Sequence, residues 1–286
     1  MSFNRGTGLI IIEARCSNPN GDPDQESEPR TISTDGRGVI SPVSFKRKLR
    51  DIIGDKESDA WTLAAEQLKL GSDDYAFEIL ESRGRKRDEI ISLDADAFNK
   101  KYWDARVFGN TFLESMTKDE REGKDHFIST GTVQVGVGVS IAPVEIERMT
   151  TTNKAGVEAD KDRGMAPLGF RVVQHGLYAM PFFVNPMMAR KNGCTQKDID
   201  LLKFLIPHAY SQTASAIRPF VSVLHAWYAE HKNPLGSCPD PLIIDAMTPT
   251  KEDVETASLG LKDYNIPTEL PGELKDRLES FNDLCG

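Results

Sequence analysis

A valine-rich run at residues 132–146, TVQVGVGVSIAPVEI, constrains the fold of this chain most strongly. Its alternation of residue types predicts a β-strand. Gly136 and Gly138 fall on the same face of that strand, and their missing side chains predict the close approach of another backbone or of a ligand. The run therefore indicates that the fold contains a β-sheet.

Other segments add both strands and helices. Short apolar runs predict three further strands, at residues 8–14, 170–184 and 221–230. Helical spacing and capping residues predict helices at residues 42–53, 58–70, 74–82, 93–103, 195–206, 250–259 and 269–284. Gly71 ends the second of these helices, whereas Thr195 and Thr250 cap two later ones. We expect a sharp turn at residues 104–109, an exposed charged loop at 118–125 and a long hairpin at 148–169. The mixture predicts an α+β fold.

The helix at residues 42–53 is basic as well as amphipathic. Ser41 is a good N-cap, and Pro42 suits the first helical position. The buried stripe comprises Phe45, Leu49, Ile52 and Ile53. The remaining surface carries Lys46, Arg47, Lys48 and Arg50. Because a helix N-terminus already favours anions, this element predicts a phosphate-binding surface. The alternative is that the cations only keep an exposed face soluble.

The loop before this helix is rich in turn-forming residues. Asn18, Asn20, Asp22 and Asp24 alternate as calcium ligands do. A calcium-binding hand also needs glycine at its sixth position and glutamate at its twelfth. Neither requirement is met when counting starts at Asn18 or at Asn20, so the calcium interpretation fails. Ordinary turn chemistry remains the alternative to a functional role for the loop.

Composition excludes several classes of protein. The chain of 286 residues contains no apolar stretch long enough to span a membrane and no secretion signal. Its four cysteines are scattered, which argues against structural zinc and favours a reducing cytoplasm. The net charge is −9, but residues 240–286 hold eleven acids and four bases and therefore carry −7 of it. The nearly neutral remainder can present a local basic groove.

Recognisable catalytic chemistry is missing from the sequence. The five histidines are dispersed, and there is no HExxH, no phosphate-binding GxxxxGK[ST] loop and no GxGxxG between a strand and a helix. We therefore expect a non-enzymatic domain with phosphate-binding features, without a cofactor or a metal site.

Five blocks, taken together, resemble a known family. After the first strand come NPNGDPD, the helix SPVSFKRKLR, DARVFG, TVQVGVGVSIAPVEIERMTTTN and SAIR. This order is similar to that of the backbone subunit of type I CRISPR Cascade complexes, the Cas-seven family, and is closest to its I-C and I-B branch. The resemblance runs from Gly8 to Arg218, and the segment after Cys238 is not part of it.

The resemblance implies an elaborated RRM-like (ferredoxin-like) palm with helical finger insertions and a projecting thumb hairpin. The whole chain, residues 1–286, then forms one domain with fingers at 54–130, a thumb at 148–169 and an acidic extension at 240–286. Copies of the chain would assemble in a helical filament along a CRISPR guide RNA, together with other Cascade subunits in the prokaryotic cytoplasm. The guide would remain free to pair with target nucleic acid, so the protein must hold its backbone.

The resemblance also implies a set of RNA contacts. In chain order these are Asn18, Asn20, Arg30, Ser44, Lys46, Arg47, Arg50, Arg106, Gln134, Ser140, Arg148, Met149, Lys154 and Arg163. Met149 and Met165 would wedge between bases. Two features depart from the family pattern: Glu158, Asp160 and Asp162 make the thumb less basic, and Gln212 replaces the histidine expected near SAIR. The second departure leaves the role of Arg218 open.

Two alternatives remain. A subunit of the related type III branch would cut target RNA with a divalent metal through Asp22 or Asp24. A lone module that binds single-stranded RNA would act as a monomer, whereas a backbone subunit would bind cooperatively along the RNA.

Overall fold

The computed structural model describes residues 3–71, 75–111, 128–153 and 166–286. Its strands are β1 Gly6–Ser17, β2 Gly21–Asp22, β3 Glu28–Pro29, β4 Arg37–Ile40, β5 Gly109–Thr111, β6 Ile128–Thr130, β7 Val133–Val135, β8 Gly138–Pro143, β9 Ile146–Asn153, β10 Ala166–Val184, β11 Val221–His231, β12 Thr250–Lys251, β13 Tyr264–Asn265 and β14 Leu278–Asp283. Its α-helices are α1 Pro42–Ile53, α2 Asp59–Leu68, α3 Arg87–Ile91, α4 Ala95–Lys101, α5 Trp103–Phe108, α6 Pro186–Asn192, α7 Gln196–Leu205, α8 Asp240–Met247 and α9 Gly272–Lys275. Among the described residues, no helix combines the length and hydrophobicity needed to cross a lipid bilayer.

One large antiparallel sheet organises these elements. Its strand order is β14-β11-β1-β10-β8-β4, and β7 and β9 also pair with β10. Strand β1 lies between β10 and β11 and bonds to both along most of its length. The apolar run predicted as a strand at residues 8–14 is therefore interior, and the α+β prediction is confirmed with a large sheet.

Alternate residues of β1 enter two different cores. Ile10 and Ile12 pack in the larger core, which includes buried residues of α1 and α7. Leu9 and Ile11 point to the opposite face, where the C-terminal segment contributes Ile243, Met247, Leu270 and Leu278. The acidic segment after residue 240 is thus folded onto the sheet and covers one of its faces.

The valine-rich run forms three strands rather than one. Strand β7 ends before Gly136, β8 begins at Gly138, and β9 begins at Ile146. The two glycines do permit a close approach: a β-carbon at Gly136 would lie 2.8 Å from Pro181, and one at Gly138 would lie 2.9 Å from Met180. Both neighbours are side chains of β10, so the neighbouring strand fills this space.

Strands β9 and β10 pair antiparallel from Ile146–Val173 to Asn153–Ala166. Residues 154–165, between these strands, lie outside the described residues, as does the loop predicted at 118–125. The strand predicted at 170–184 is confirmed as the greater part of β10, and that predicted at 221–230 is confirmed as β11.

Helices with clear local caps agree with prediction. Ser41 accepts a hydrogen bond from Ser44 N–H at the start of α1, and Ser58 accepts one from Trp61 N–H at the start of α2. Thr195 and Asp198 form a capping box on α7. Helix α4 covers most of the helix predicted at residues 93–103.

Four local predictions were wrong. Residues 75–82 are not helical, because Ala76 and Glu78 donate backbone hydrogen bonds to the end of α4 instead. The turn predicted at 104–109 is helix α5, which ends where Gly109 adopts a φ of 80°. The helix predicted at 250–259 is absent: Thr250 and Lys251 form β12, which pairs with β13, and the residues up to 259 are not helical. The helix predicted at 269–284 shortens to the single turn of α9, and the residues after it form edge strand β14 against β11.

Candidate nucleic-acid interface

The cations of α1 lie on two flanks of its buried stripe. Residues one turn apart share a helix face, so Lys46 and Arg50 lie on one flank and Ser44 and Lys48 on the other. Arg47 points outward and forms an ion pair with Asp51, with 2.6 Å between Nε and Oδ1. The two flanks meet very different surroundings.

Arg50 is a structural residue. It is buried, and its Nε donates to Asp104 Oδ2 at 2.8 Å. Asp104 also accepts hydrogen bonds from the backbone N–H groups of Leu80 and Glu81. The periodicity of α1 predicts an exposed Arg50, but α5 packs on this flank and supplies the carboxylate. Lys46 is half-buried there, 5.2 Å from the ring centroid of Phe108.

Lys48 lies on the other flank, beside Arg218. Burial lowers the pKa of Lys48, and the charge of Arg218 lowers it further. Arg218 Nε donates to the carbonyl oxygen of Asn18 at 2.9 Å. Within the described residues neither cation forms an ion pair with a carboxylate. Asp51 opposes part of this effect on the Lys48 pKa, but two cations that share one flank without an ion-pair partner still favour the approach of an anion.

The loop at residues 18–30 forms the rim of this flank. Asn20 Oδ1 accepts from Ser41 N–H at 2.7 Å, so it joins the loop to the first turn of α1. Asn18 is buried, and its amide nitrogen donates to the carbonyl oxygens of Ser27 and Arg171. Both asparagines therefore shape the loop through contacts within the protein, and their predicted contacts with RNA stay a prediction.

Three polar atoms near this rim are buried and lack a hydrogen-bond partner among the described residues. They are Asn18 Oδ1, Arg30 Nε and Tyr210 Oη. Tyr210 is close enough to Arg218 for that charge to oppose the rise in the Tyr210 pKa that burial causes. Buried polar atoms are usually satisfied, so these three set the rim apart from the rest of the interior. Arg30 also lies 3.4 Å from Asp22 through Nη2.

Two other predicted contacts lie in the interior. Arg106 is fully buried, pairs with Asp198 at 2.7 Å and donates to the carbonyl oxygens of Ala76, Asn99 and Lys100. Ser140 is buried as well: its hydroxyl accepts from Gly38 N–H and donates to the Ala142 carbonyl. Neither side chain reaches the surface, so we remove both from the candidate interface.

The remaining predicted contacts are exposed or lie outside the described residues. Gln134 is exposed and donates to the Gly131 carbonyl oxygen. Arg148 and Met149 are exposed on β9, opposite Arg171 and Phe170 of β10. The predicted thumb residues Lys154, Arg163 and Met165 lie outside the described residues.

Sequence reasoning missed two residues of this surface as contacts. Lys48 is one of the four cations of the α1 sequence, and Arg218 is the last residue of the SAIR block. Nothing in the sequence indicates that the two lie near each other. Their proximity depends on the fold, in which the segment before β11 lies against the end of β1. We call Ser44, Lys48 and Arg218 the Lys48 surface, in which Lys48 is 8% exposed.

A family model described as "CRISPR-associated protein Cas7" matches residues 4–269. The chain belongs to this family. The Cas7 match continues past Arg218, where the recognisable motifs end, through α8 and the β12–β13 pair. The C-terminal segment that covers the sheet is thus largely included in the family region, contrary to the expectation that it lies outside the resemblance.

Individual relatives share little sequence identity with this Cas7-family chain. The CRISPR-associated protein Cas7 of Haloferax volcanii is 28% identical over 228 residues, which cover 75% of this chain and 66% of the relative. The match thus spans about two thirds of the relative's length. Among solved structures, a chain of a "CRISPR RNA-guided surveillance complex, pre-nicking" has a TM-score of 0.46 at 14% identity and covers 79% of this chain and 78% of that one. A chain of a "CRISPR RNA-guided surveillance complex" has a TM-score of 0.41 at 16% identity, with coverages of 84% and 75%. Likenesses this distant carry no argument about function.

Proposed function

We propose that this Cas7-family chain binds a CRISPR guide RNA by its sugar-phosphate backbone and that the Lys48 surface makes the central contacts. The observation that carries the proposal is that Lys48 and Arg218, two side chains of like charge, lie near each other beside the first turns of α1. A phosphate there would supply the ion-pair partner that both cations lack within the described residues. Charge-assisted hydrogen bonds to phosphate oxygens are also among the stronger polar contacts.

Such contacts carry no information about base identity. Phosphates are the same at every nucleotide, so a surface of cations and hydroxyl groups holds guides of any sequence. Guide bases would then remain free to pair with target nucleic acid. Ser44 is half-buried beside Lys48 and offers a hydroxyl group for the same purpose.

Family membership supports a wider proposal about assembly. We propose an RRM-like palm with finger insertions and a thumb hairpin built on β9 and β10, in a subunit of the I-C or I-B branch. Copies would line up along one guide RNA in a cytoplasmic surveillance complex with other Cascade subunits. The antiparallel pairing of β9 with β10 supports the hairpin.

The central test is RNA binding by Lys48→Ala combined with Arg218→Ala. We expect affinity to fall about 10- to 100-fold for all guide sequences alike and the dependence of affinity on salt to lose roughly two phosphate contacts. Lys262→Ala combined with Lys275→Ala removes the same charge from exposed positions and serves as the control. A loss restricted to particular sequences, or an equal loss in the control, would contradict backbone binding at this surface.

The assembly is tested by purifying the full chain with and without a CRISPR array. A large particle that contains RNA of uniform repeat-plus-spacer length would support the filament, whereas a lone binding module would remain a monomer on the RNA.

We also propose that the chain does not cut RNA. Asp22 pairs with Arg30 and accepts a hydrogen bond from Asp24 N–H, so it helps to shape its own loop. Bound target RNA should stay intact during long incubation with magnesium or manganese. Cuts at regular spacing that disappear in Asp22→Asn or Asp24→Asn would establish the cleaving alternative instead.

A further inference from the structure

Phe220 is an exposed aromatic side chain next to the Lys48 surface. It follows Arg218 by two residues, and 57% of its surface is exposed. The guanidinium carbon of Arg15 lies 5.6 Å from the centroid of its ring, within the range of a cation–π contact. Arg15 thus lies against the ring, while more than half of the Phe220 side chain remains exposed.

The backbone holds this ring in place. Arg15 N–H donates to the Phe220 carbonyl oxygen at 2.9 Å, and Phe220 N–H donates to Ser17 Oγ at 3.0 Å. A third hydrogen bond, from Asn18 N–H to the Ile217 carbonyl, continues the pairing of β1 with β11 beyond the sheet. Phe220 is therefore exposed at a defined position, not on a loose loop.

Cys16, between the two residues that hold Phe220, adopts a φ of 41°. This left-handed conformation is uncommon for a residue other than glycine, and such strain concentrates at binding sites. Arg15 is further oriented by Glu13, whose carboxylate lies 3.5 Å from its Nε. The end of β1 is thus built to present a particular side chain at the surface.

We propose that Phe220, backed by Arg15, is a stacking platform for one base of the guide RNA whose backbone lies on the Lys48 surface. This inference rests on the proposed function. Every base offers a π-face, so stacking on an aromatic ring tolerates any sequence, as a guide-binding protein requires. It adds an apolar contact to the ionic contacts that Lys48 and Arg218 would make.

Charge favours RNA over an apolar protein partner as the occupant. Arg15 lies against the ring, Arg218 precedes Phe220 by two residues, and Lys48 is near enough to Arg218 for that charge to lower its pKa against the opposing effect of Asp51. A nucleic-acid strand supplies a planar ring and phosphates together. An apolar protein surface would cover Phe220 but leave Lys48 and Arg218 without an ion-pair partner.

The test uses the full chain and single-stranded RNA that carries the fluorescent base 2-aminopurine at several positions. Binding to the parent protein should quench the fluorescence, because stacking on an aromatic ring quenches this base. Phe220→Ala should lose the quenching and weaken affinity about tenfold, with an unchanged dependence on salt. Phe220→Trp should retain both properties, and Leu259→Ala, which changes a residue that is 81% exposed elsewhere, should match the parent.

The outcomes separate this inference from the proposed function. If Phe220→Ala binds and quenches like the parent while Lys48→Ala with Arg218→Ala still weakens binding, the platform is refuted and backbone binding stands. If Phe220→Ala impairs only association between copies of the chain, Phe220 contacts protein and the platform is again refuted. A parent protein that binds no RNA would overturn both proposals.

Discussion

Both flanks of α1 carry cationic side chains, but these differ in whether a carboxylate neutralises them. Arg50 and, deeper in the fold, Arg106 each meet a buried carboxylate and additional hydrogen-bond partners. Lys48 and Arg218 approach each other, and neither has a carboxylate partner among the described residues. A cation's surroundings therefore distinguish structure from recognition better than its place in a motif does. The paired arginines neutralise buried carboxylates, whereas we propose a ligand-binding role for the two cations that lack an ion-pair partner.

The comparison predicts its largest effect at Arg106. Arg106→Ala would leave the buried Asp198 charge and three backbone carbonyls without their partner, so we expect the free energy of unfolding to fall by about 3–5 kcal/mol. Urea denaturation of the purified chain measures this change. The control is Arg47→Ala, which breaks an exposed pair with Asp51 and should cost less than about 1 kcal/mol. Similar losses in the two variants would mean that burial does not make the Arg106 ion pair more stabilising than the Arg47 ion pair.

A smaller effect of opposite sign is expected at Lys48. Burial and the nearby charge of Arg218 lower the Lys48 pKa, so the folded state bears a cost for its ammonium group. Lys48→Met keeps the side-chain volume and removes that charge, so it should raise the free energy of unfolding while it weakens RNA binding. Denaturation and binding measured on one preparation test both effects. A destabilised Lys48→Met would instead place Lys48 with the structural cations.

The smallest effect concerns a buried histidine that must stay neutral. His231 Nδ1 accepts from Ser237 N–H at 3.0 Å, and its Nε2 lies 3.0 Å from Thr7 Oγ1. Burial lowers the His231 pKa, and the charge of Arg5 lowers it further against the opposing effect of Asp240. As pH falls below 6.5 the unfolded chain takes up the proton first, so stability should fall until the folded pKa is reached.

Urea denaturation between pH 7.5 and pH 5 measures this dependence. His231→Gln should flatten it, whereas His208→Gln, at an exposed position, should leave it intact. An unchanged slope in His231→Gln would show that other groups carry the acid sensitivity. Asp240 is not one of them, because its lowered pKa makes it act only at lower pH.

Local signals predicted much of the fold. The N-caps at Ser41 and Thr195 placed two helices, because a cap acts on backbone groups only a few residues away. The apolar run of β1 placed the interior strand. Predictions failed near the C-terminus. The helical periodicity there predicts a helix, but the residues of β14 pair instead with β11, which is distant in sequence.

The candidate site was predictable only in part. The motifs identified the family, the basic helix and the loop that contacts it, and Asn20 does join the loop to the helix start. They also assigned Arg50 and Arg106 to RNA contacts, since a sequence shows that a residue is charged but not whether a carboxylate will meet it. For the same reason the sequence did not show that Lys48 and Arg218 lie near each other, since they are 170 positions apart in the numbering.

By itself, then, the sequence determined which segments are amphipathic, where helices α1, α2 and α7 begin, and to which family the motifs point. Only the tertiary structure decided which cations are neutralised. Asp104 lies 54 residues from Arg50 and Asp198 lies 92 residues from Arg106, so these ion pairs exist only after the chain has folded. Capping and periodicity act between neighbours, whereas charge compensation acts through space.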